Sequence, residues 1–146
     1  MSSLQKNLRQ PTRRAKKGVR IAVIVSEYNR NITRELEARC LKTLQKAGVA
    51  KITVAHVPGA FELPYACQRA IQTQKPHAVI ALGCIIKGET LHFELIAQAT
   101  ANGIMEVGLR HNLPVIFGVL TPYTLAQAKA RLNKGTEAAE TALALI

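Results

Sequence analysis

Two rhythms of apolar and polar positions alternate along the chain. VRIAVIV (19–25) is β-branched and almost wholly apolar, the pattern of a strand covered on both faces. SEYNRNIT breaks that run, and from Thr33 to Ala47 the residues Leu36, Cys40, Leu41 and Leu44 recur at helical spacing. Glu35 and Glu37 fall in the predicted first turn, where acids suit the helix dipole, and Gly48 stops the helix. KITVAHV (51–57) predicts a second strand. PGAFELP then opens a helix that accommodates Pro64 in its first turn and runs to about Gln74, before Pro76. AVIALG (78–83) predicts a third strand. A longer helix follows, with Phe93, Ile96, Ala97, Ile104 and Val107 on one side, ended by Asn112 and Pro114. VIFGVL (115–120) predicts the fourth strand. Thr124 and Gln127 fit a capping box for a short helix that Asn133 and Gly135 interrupt, and Thr136 begins a last, alanine-rich helix.

Strands alternating with helices predict an α/β fold with a small parallel sheet and right-handed crossovers. Ligands of such sheets bind beyond the carboxyl ends of the strands. That rim collects SEYN after the first strand, PGAFE after the second, CIIKGETLH after the third and TPYT after the fourth.

The 146 residues, 48% of them apolar, suit one domain with a real core. No apolar run approaches the roughly 20 residues of a membrane span. No apolar stretch of a secretory signal follows the basic N-terminus. Cys40, Cys67 and Cys84 are scattered and odd in number, with neither metal spacing nor a disulfide framework, which points to a reducing cytosol. The net charge of +11 is concentrated at one end: Lys6, Arg9, Arg13, Arg14, Lys16, Lys17 and Arg20 all precede the first acid, Glu27. Residues 1–17 therefore read as a flexible basic arm, solvated or touching a partner, ahead of a domain at 18–146. Nucleic-acid binding is disfavoured, because the arm interleaves no aromatics and the chain is only 4% aromatic.

Candidate chemistry lies on the carboxyl rim, and most residues there carry two readings. Gly88, Glu89 and Thr90, where the third strand hands over to a helix, offer free amides and a hydroxyl to an anion, or form a plain turn and cap. His92, one turn into that helix near its positive end, is a candidate neutral base for proton transfer, or a surface or structural histidine. Tyr28 stacks on a planar ring or edges the core. Phe61 staples a helix or faces a ligand, and Glu62 is a first-turn acid or an acceptor for hydroxyls. Phe117 reads as core, and Cys84 as packing rather than nucleophile. Arg131 and Lys134 are solvated charges or phosphate partners. His56, His77 and His111 have weaker contexts, the last two on the opposite rim.

VPGAFELP, ALGCIIKGETLHFE, PVIFGVLT and the late NKG together resemble the lumazine synthase family over nearly all of residues 18–146. The resemblance implies a flavodoxin-like three-layer αβα sandwich with strand order 2-1-3-4. It implies an enzyme of riboflavin synthesis, a transferase condensing 5-amino-6-ribitylaminouracil with 3,4-dihydroxy-2-butanone 4-phosphate. The products are dimethyl-ribityl-lumazine, phosphate and water, formed through an imine, phosphate elimination and ring closure, with no cofactor and no metal. Carried over by position, Tyr28 stacks on the pyrimidine, with Asn29 in the same loop. Gly59, Ala60, Phe61 and Glu62 hold the ribityl chain, and Cys84, Ile85 and Ile86 read the pyrimidine edge. Gly88, Glu89 and Thr90 bind the phosphate end, and His92 shuttles the proton. Phe117, Arg131 and Lys134 come from a neighbouring subunit in a cytoplasmic ring of five, with riboflavin synthase as a possible pathway partner.

The chain departs from the family's frequent pattern in three places. ARLNKG is shorter than the usual segment, which favours a free pentamer or stacked pair over a sixty-subunit shell. Lys87 stands where arginine is frequent, and the final helix, ending ALALI, is short. Two competing functions are a lumazine- or flavin-binding module without catalysis and a nucleic-acid binder acting through the arm. The first would need no anion site, and the second would lose function with residues 1–17 and weaken steeply with salt.

Overall fold

The two strands with the most continuous apolar runs take the centre of the sheet. In the computed structural model, which describes residues 13–146, β1 (Arg20–Ser26) and β3 (Ala78–Cys84) are the inner strands. β2 (Lys51–Val57) and β4 (Val115–Leu120) are the edges, and all four run parallel in the order β2-β1-β3-β4. β3 is buried at every position and β1 at all but Arg20, whereas β2 buries none of its residues fully, as an edge strand can afford.

The helices among the described residues are α1 (Arg30–Ala47), α2 (Leu63–Gln74), α3 (His92–His111), α4 (Leu125–Lys129) and α5 (Lys134–Leu145), with a 3₁₀ turn at Ala60–Glu62. α1 and α5 cover one face, packing Leu36, Cys40, Leu44 and Ala139 over Ile21, Val23, Val25 and Ile80. α2 and α3 cover the other, packing Leu63, Cys67 and Ile104 over Ala22, Ile24, Val79 and Ala81. This is the expected flavodoxin-like three-layer sandwich. β1 leads outward to β2, and the chain then crosses back over β1 to β3. Right-handed crossovers in opposite directions put α1 on one face and α2 and α3 on the other. The loops after β1 and β3 therefore part, and a crevice opens between them.

Three helix boundaries differ from the expectation. α3 begins at His92 itself, a turn later than expected, so Gly88, Glu89 and Thr90 form a loop ahead of the helix rather than its first turn. α1 begins at Arg30, a turn earlier than Thr33, because Asn29 takes up a left-handed conformation (φ 62°) that turns the chain straight into the helix. Its first turn therefore holds no acid. Glu37 instead pairs with His56 on β2 and lies 3.6 Å from Arg30. α5 begins at Lys134, so Gly135 lies inside its first turn rather than interrupting it. The glycine serves contact between helices. A Cβ there would sit 2.3 Å from the Leu36 carbonyl oxygen, and backbone cannot move aside as a side-chain tip can. Gly135→Ala is expected to cost about 3 kcal/mol and to lower Tm by roughly 10 °C. Thermal unfolding followed by circular dichroism checks this, and an unchanged Tm refutes the close approach.

The first described residues run along the domain. The Ala15 N–H donates to the Ala47 carbonyl at 2.8 Å, and Ala15 packs against the α1 side of the core. Residues 1–12 of the expected arm lie outside the described residues.

Candidate active site

Backbone pairing continues past the strand ends and sets the rim loops in two pairs. Glu27 N–H donates to Val57 O at 2.8 Å and Tyr28 N–H to Pro58 O at 3.0 Å, prolonging the β1–β2 ladder. Ile85 N–H donates to Leu120 O at 2.8 Å and Lys87 N–H to Pro122 O at 3.1 Å, prolonging β3–β4. Between the pairs, the β1–β3 ladder stops at Val25 and Leu82. There the Asn29 side-chain amide donates across the crevice to the Cys84 carbonyl at 2.8 Å.

A cleft of about 630 Å³ occupies this crevice. From β1 it takes Tyr28 and Asn29, from the turn after β2 the run Gly59, Ala60, Phe61 and Glu62. From the end of β3 it takes Cys84, Ile85, Ile86, Gly88 and Thr90, and from the start of α3, His92. Phe93 and Ile96 line it as well. The helical pattern in the sequence puts these two on the apolar side of their helix. They are the first apolar residues of that face, and a helix starting at the rim must turn its first-turn apolar side chains toward the cleft as well as the core.

Exposure decides several of the open readings. Tyr28 is 75% exposed and Phe61 is 61% exposed, so neither edges the core nor staples a helix. Two aromatic faces at the mouth of one cleft stay largely uncovered by the described residues. The Glu62 carboxylate closes its own turn by accepting from the Gly59 N–H at 3.2 Å, and remains exposed. Gly88 has no crowding neighbour: a Cβ there would meet open space. The Thr90 hydroxyl accepts from the His92 N–H at 3.3 Å, which leaves its own O–H free to donate. His92 is the first residue of α3, where the helix dipole is positive, and its side chain is exposed. Lys87 Nζ lies 4.9 Å from the centre of the Tyr123 ring, and that ring lies 6.3 Å from Phe93, so this loop leans on the loop after β4.

Cys84 is buried, and burial pushes its thiol up to about 11. At neutral pH it is a protonated packing group. Burial raises Cys40 and Cys67 further, to about 12.

Four predicted site residues lie outside this cleft. Glu89 is exposed beside it, and Phe117 is half-buried on the edge strand β4, packed against the α2–α3 side of the core. Arg131 and Lys134 line a separate cleft of about 630 Å³ with Tyr123, Gln127 and Glu137. There Arg131 Nη1 donates to the Gln127 carbonyl at 3.0 Å. His77 and His111 serve the opposite end of the sheet: His77 Nδ1 accepts from the Arg20 N–H at 3.0 Å, and His111 Nε2 lies 3.2 Å from Gln68. Among the described residues no group of three or more His, Cys, Asp or Glu side chains is placed to hold a metal ion, and no helix is long and apolar enough to cross a membrane.

Comparison with known proteins points in one direction. The family model described as 6,7-dimethyl-8-ribityllumazine synthase matches residues 18–146. Among curated proteins of that name, the one from Porphyromonas gingivalis is 46% identical over 134 residues, covering 87% of this chain and 83% of that protein. The Thermus thermophilus protein is 41% identical over 137 residues, covering 89% and 87%. The Salinibacter ruber protein is 40% identical over 133 residues, covering 86% and 85%. With a match that spans every strand and helix of the sandwich, and relatives alike over most of both lengths, the chain belongs to the 6,7-dimethyl-8-ribityllumazine synthase family.

Proposed function

We propose that the domain at residues 18–146 condenses 5-amino-6-ribitylaminouracil with 3,4-dihydroxy-2-butanone 4-phosphate to give 6,7-dimethyl-8-ribityllumazine, in the cytoplasm. The observation that carries the reading is the single cleft that gathers Tyr28, Phe61, Glu62, the Cys84–Ile86 backbone, Gly88, Thr90 and His92. The exposed Tyr28 ring stacks on the pyrimidine, whose edge meets the backbone of Cys84, Ile85 and Ile86. Glu62 and the Gly59–Phe61 turn receive the ribityl hydroxyls. The amides of Gly88, Glu89 and Thr90, with the Thr90 hydroxyl, receive the phosphate at the positive end of α3.

The chemistry then balances without a cofactor. The 5-amino group attacks the ketone of the butanone, and loss of water leaves an imine. His92 takes the proton from the hydroxyl-bearing carbon beside the imine. The neighbouring carbon–oxygen bond breaks, and phosphate departs with the electron pair. The resulting enol becomes a ketone by accepting a proton on its terminal carbon, returned by His92. The ribityl-bearing nitrogen attacks that ketone, and loss of a second water closes the ring. Holding two substrates in one cleft supplies much of the acceleration, on the order of 7–11 kcal/mol in ideal cases.

The working unit is a ring of five in which a neighbour contributes Phe117, Arg131 and Lys134. Two observations support assembly. Arg131 and Lys134 line a cleft of their own, away from His92. Along α3 and just before it, Leu91, Leu95, Met105 and Leu109 are 61–76% exposed, an apolar row that water alone does not suit. The decisive assay mixes the two substrates with the purified chain and follows lumazine fluorescence and released phosphate together. Both signals should appear in equal amounts. Binding of riboflavin without turnover would instead favour the non-catalytic binding module.

A further inference from the structure

We infer that Asn29 is a positioning residue: acting through the Cys84 carbonyl, it sets the separation of the two sides of the crevice that receives the pyrimidine. The inference rests on the reaction proposed above. Three observations carry it. The backbone ladders tie β1 to β2 and β3 to β4 beyond the strand ends, but the β1–β3 ladder stops at Val25 and Leu82, so the crevice lies between two separately braced pairs of loops. The Asn29 amide bridges that gap at 2.8 Å. An asparagine before a helix ordinarily turns its oxygen to the helix's own N–H groups, yet Asn29 makes no such cap although it occupies that position. Its donor is committed across the crevice instead.

The consequence falls on the residues proposed to read the pyrimidine edge. Asn29 holds the Cys84 carbonyl from one side, and Leu120 holds the Ile85 N–H from the other. The peptide between Cys84 and Ile85 is therefore fixed in orientation before a ligand arrives, and the backbone at Tyr28, the neighbour of Asn29, is held relative to it. A pre-set separation between stacking ring and reading edge reduces the ordering that binding would otherwise cost.

The test uses two variants of the full chain. Asn29→Gly keeps the left-handed backbone without strain and removes the amide, while Asn29→Asp keeps the shape but turns an acceptor toward the carbonyl. In protein labelled with carbonyl-¹³C cysteine, the Cys84 resonance should shift in both variants, with Cys40 and Cys67 unmoved. The KM for ribitylaminouracil should rise about tenfold, the loss of one hydrogen bond, and further in the aspartate variant, with the KM for the butanone phosphate within roughly twofold of wild type. A Cys84 resonance that stays put removes the bond, and the inference with it. A shifted resonance with both KM values rising together, or neither, reduces Asn29 to a structural tie and likewise overturns the inference. If the wild-type chain makes no lumazine, the proposed reaction fails, and the resonance still decides whether the bridge exists.

Discussion

Replacing Arg131 by alanine is expected to lower kcat/KM for the butanone phosphate on the order of 100-fold, because a desolvated phosphate would lose the charged partner proposed for it. Arginine suits this task by geometry, since its planar fork meets two phosphate oxygens at once. Among the described residues Arg131 is exposed and donates to the Gln127 carbonyl, so its removal strips no core contact. Folding should be unchanged. The KM for the pyrimidine should stay near wild type, because Arg131 lines a different cleft from Tyr28 and the Cys84–Ile86 backbone. Arg131→Lys should recover part of the loss, keeping the charge but not the fork. Steady-state kinetics with each substrate varied in turn makes the measurement. Equal losses against both substrates would remove Arg131 from phosphate binding.

The second large effect is a gain. His92→Ala removes the proposed proton shuttle and should slow turnover by about 100-fold or more. If His92 and Arg131 of one site come from different protomers, the two inactive variants complement each other. In a head-to-tail ring assembled at random from equal amounts, about a quarter of the sites pair an intact His92 with an intact Arg131. Co-expression of the two variants should therefore restore roughly a quarter of wild-type turnover, far above either variant alone. A cleft completed within one chain predicts no recovery, because every protomer of the mixture carries one lesion. The outcome separates shared from self-contained sites whatever the size of the assembly.

Much of the fold could be read from pattern. A strand buried on both faces must be apolar at nearly every position, and VRIAVIV reads as covered on both faces for that reason, as it is. The rim segments were visible because glycine, hydroxyl, imidazole and acid between an apolar strand and an amphipathic helix have no packing task. Boundaries that depend on another part of the chain were not visible. The early start of α1 comes from Asn29, whose amide finds its partner 55 residues away at Cys84. Gly135 looked like a helix breaker because its reason for being glycine is the Leu36 carbonyl on a different helix. Phe93 and Ile96 matched a core face, and only the position of α3 against the rim shows that they also wall the cleft.

By itself, then, the sequence determined the order and type of the elements and the rim on which chemistry gathers, because each follows from the period of burial along a local stretch and the polar breaks that end it. The tertiary structure alone decided which rim residues share a cleft. It left Tyr28 and Phe61 open at the cleft's mouth and separated Arg131 and Lys134 from His92. Those relations depend on distances between segments far apart in the chain, which the winding reversal between β1 and β3 sets and no local pattern encodes.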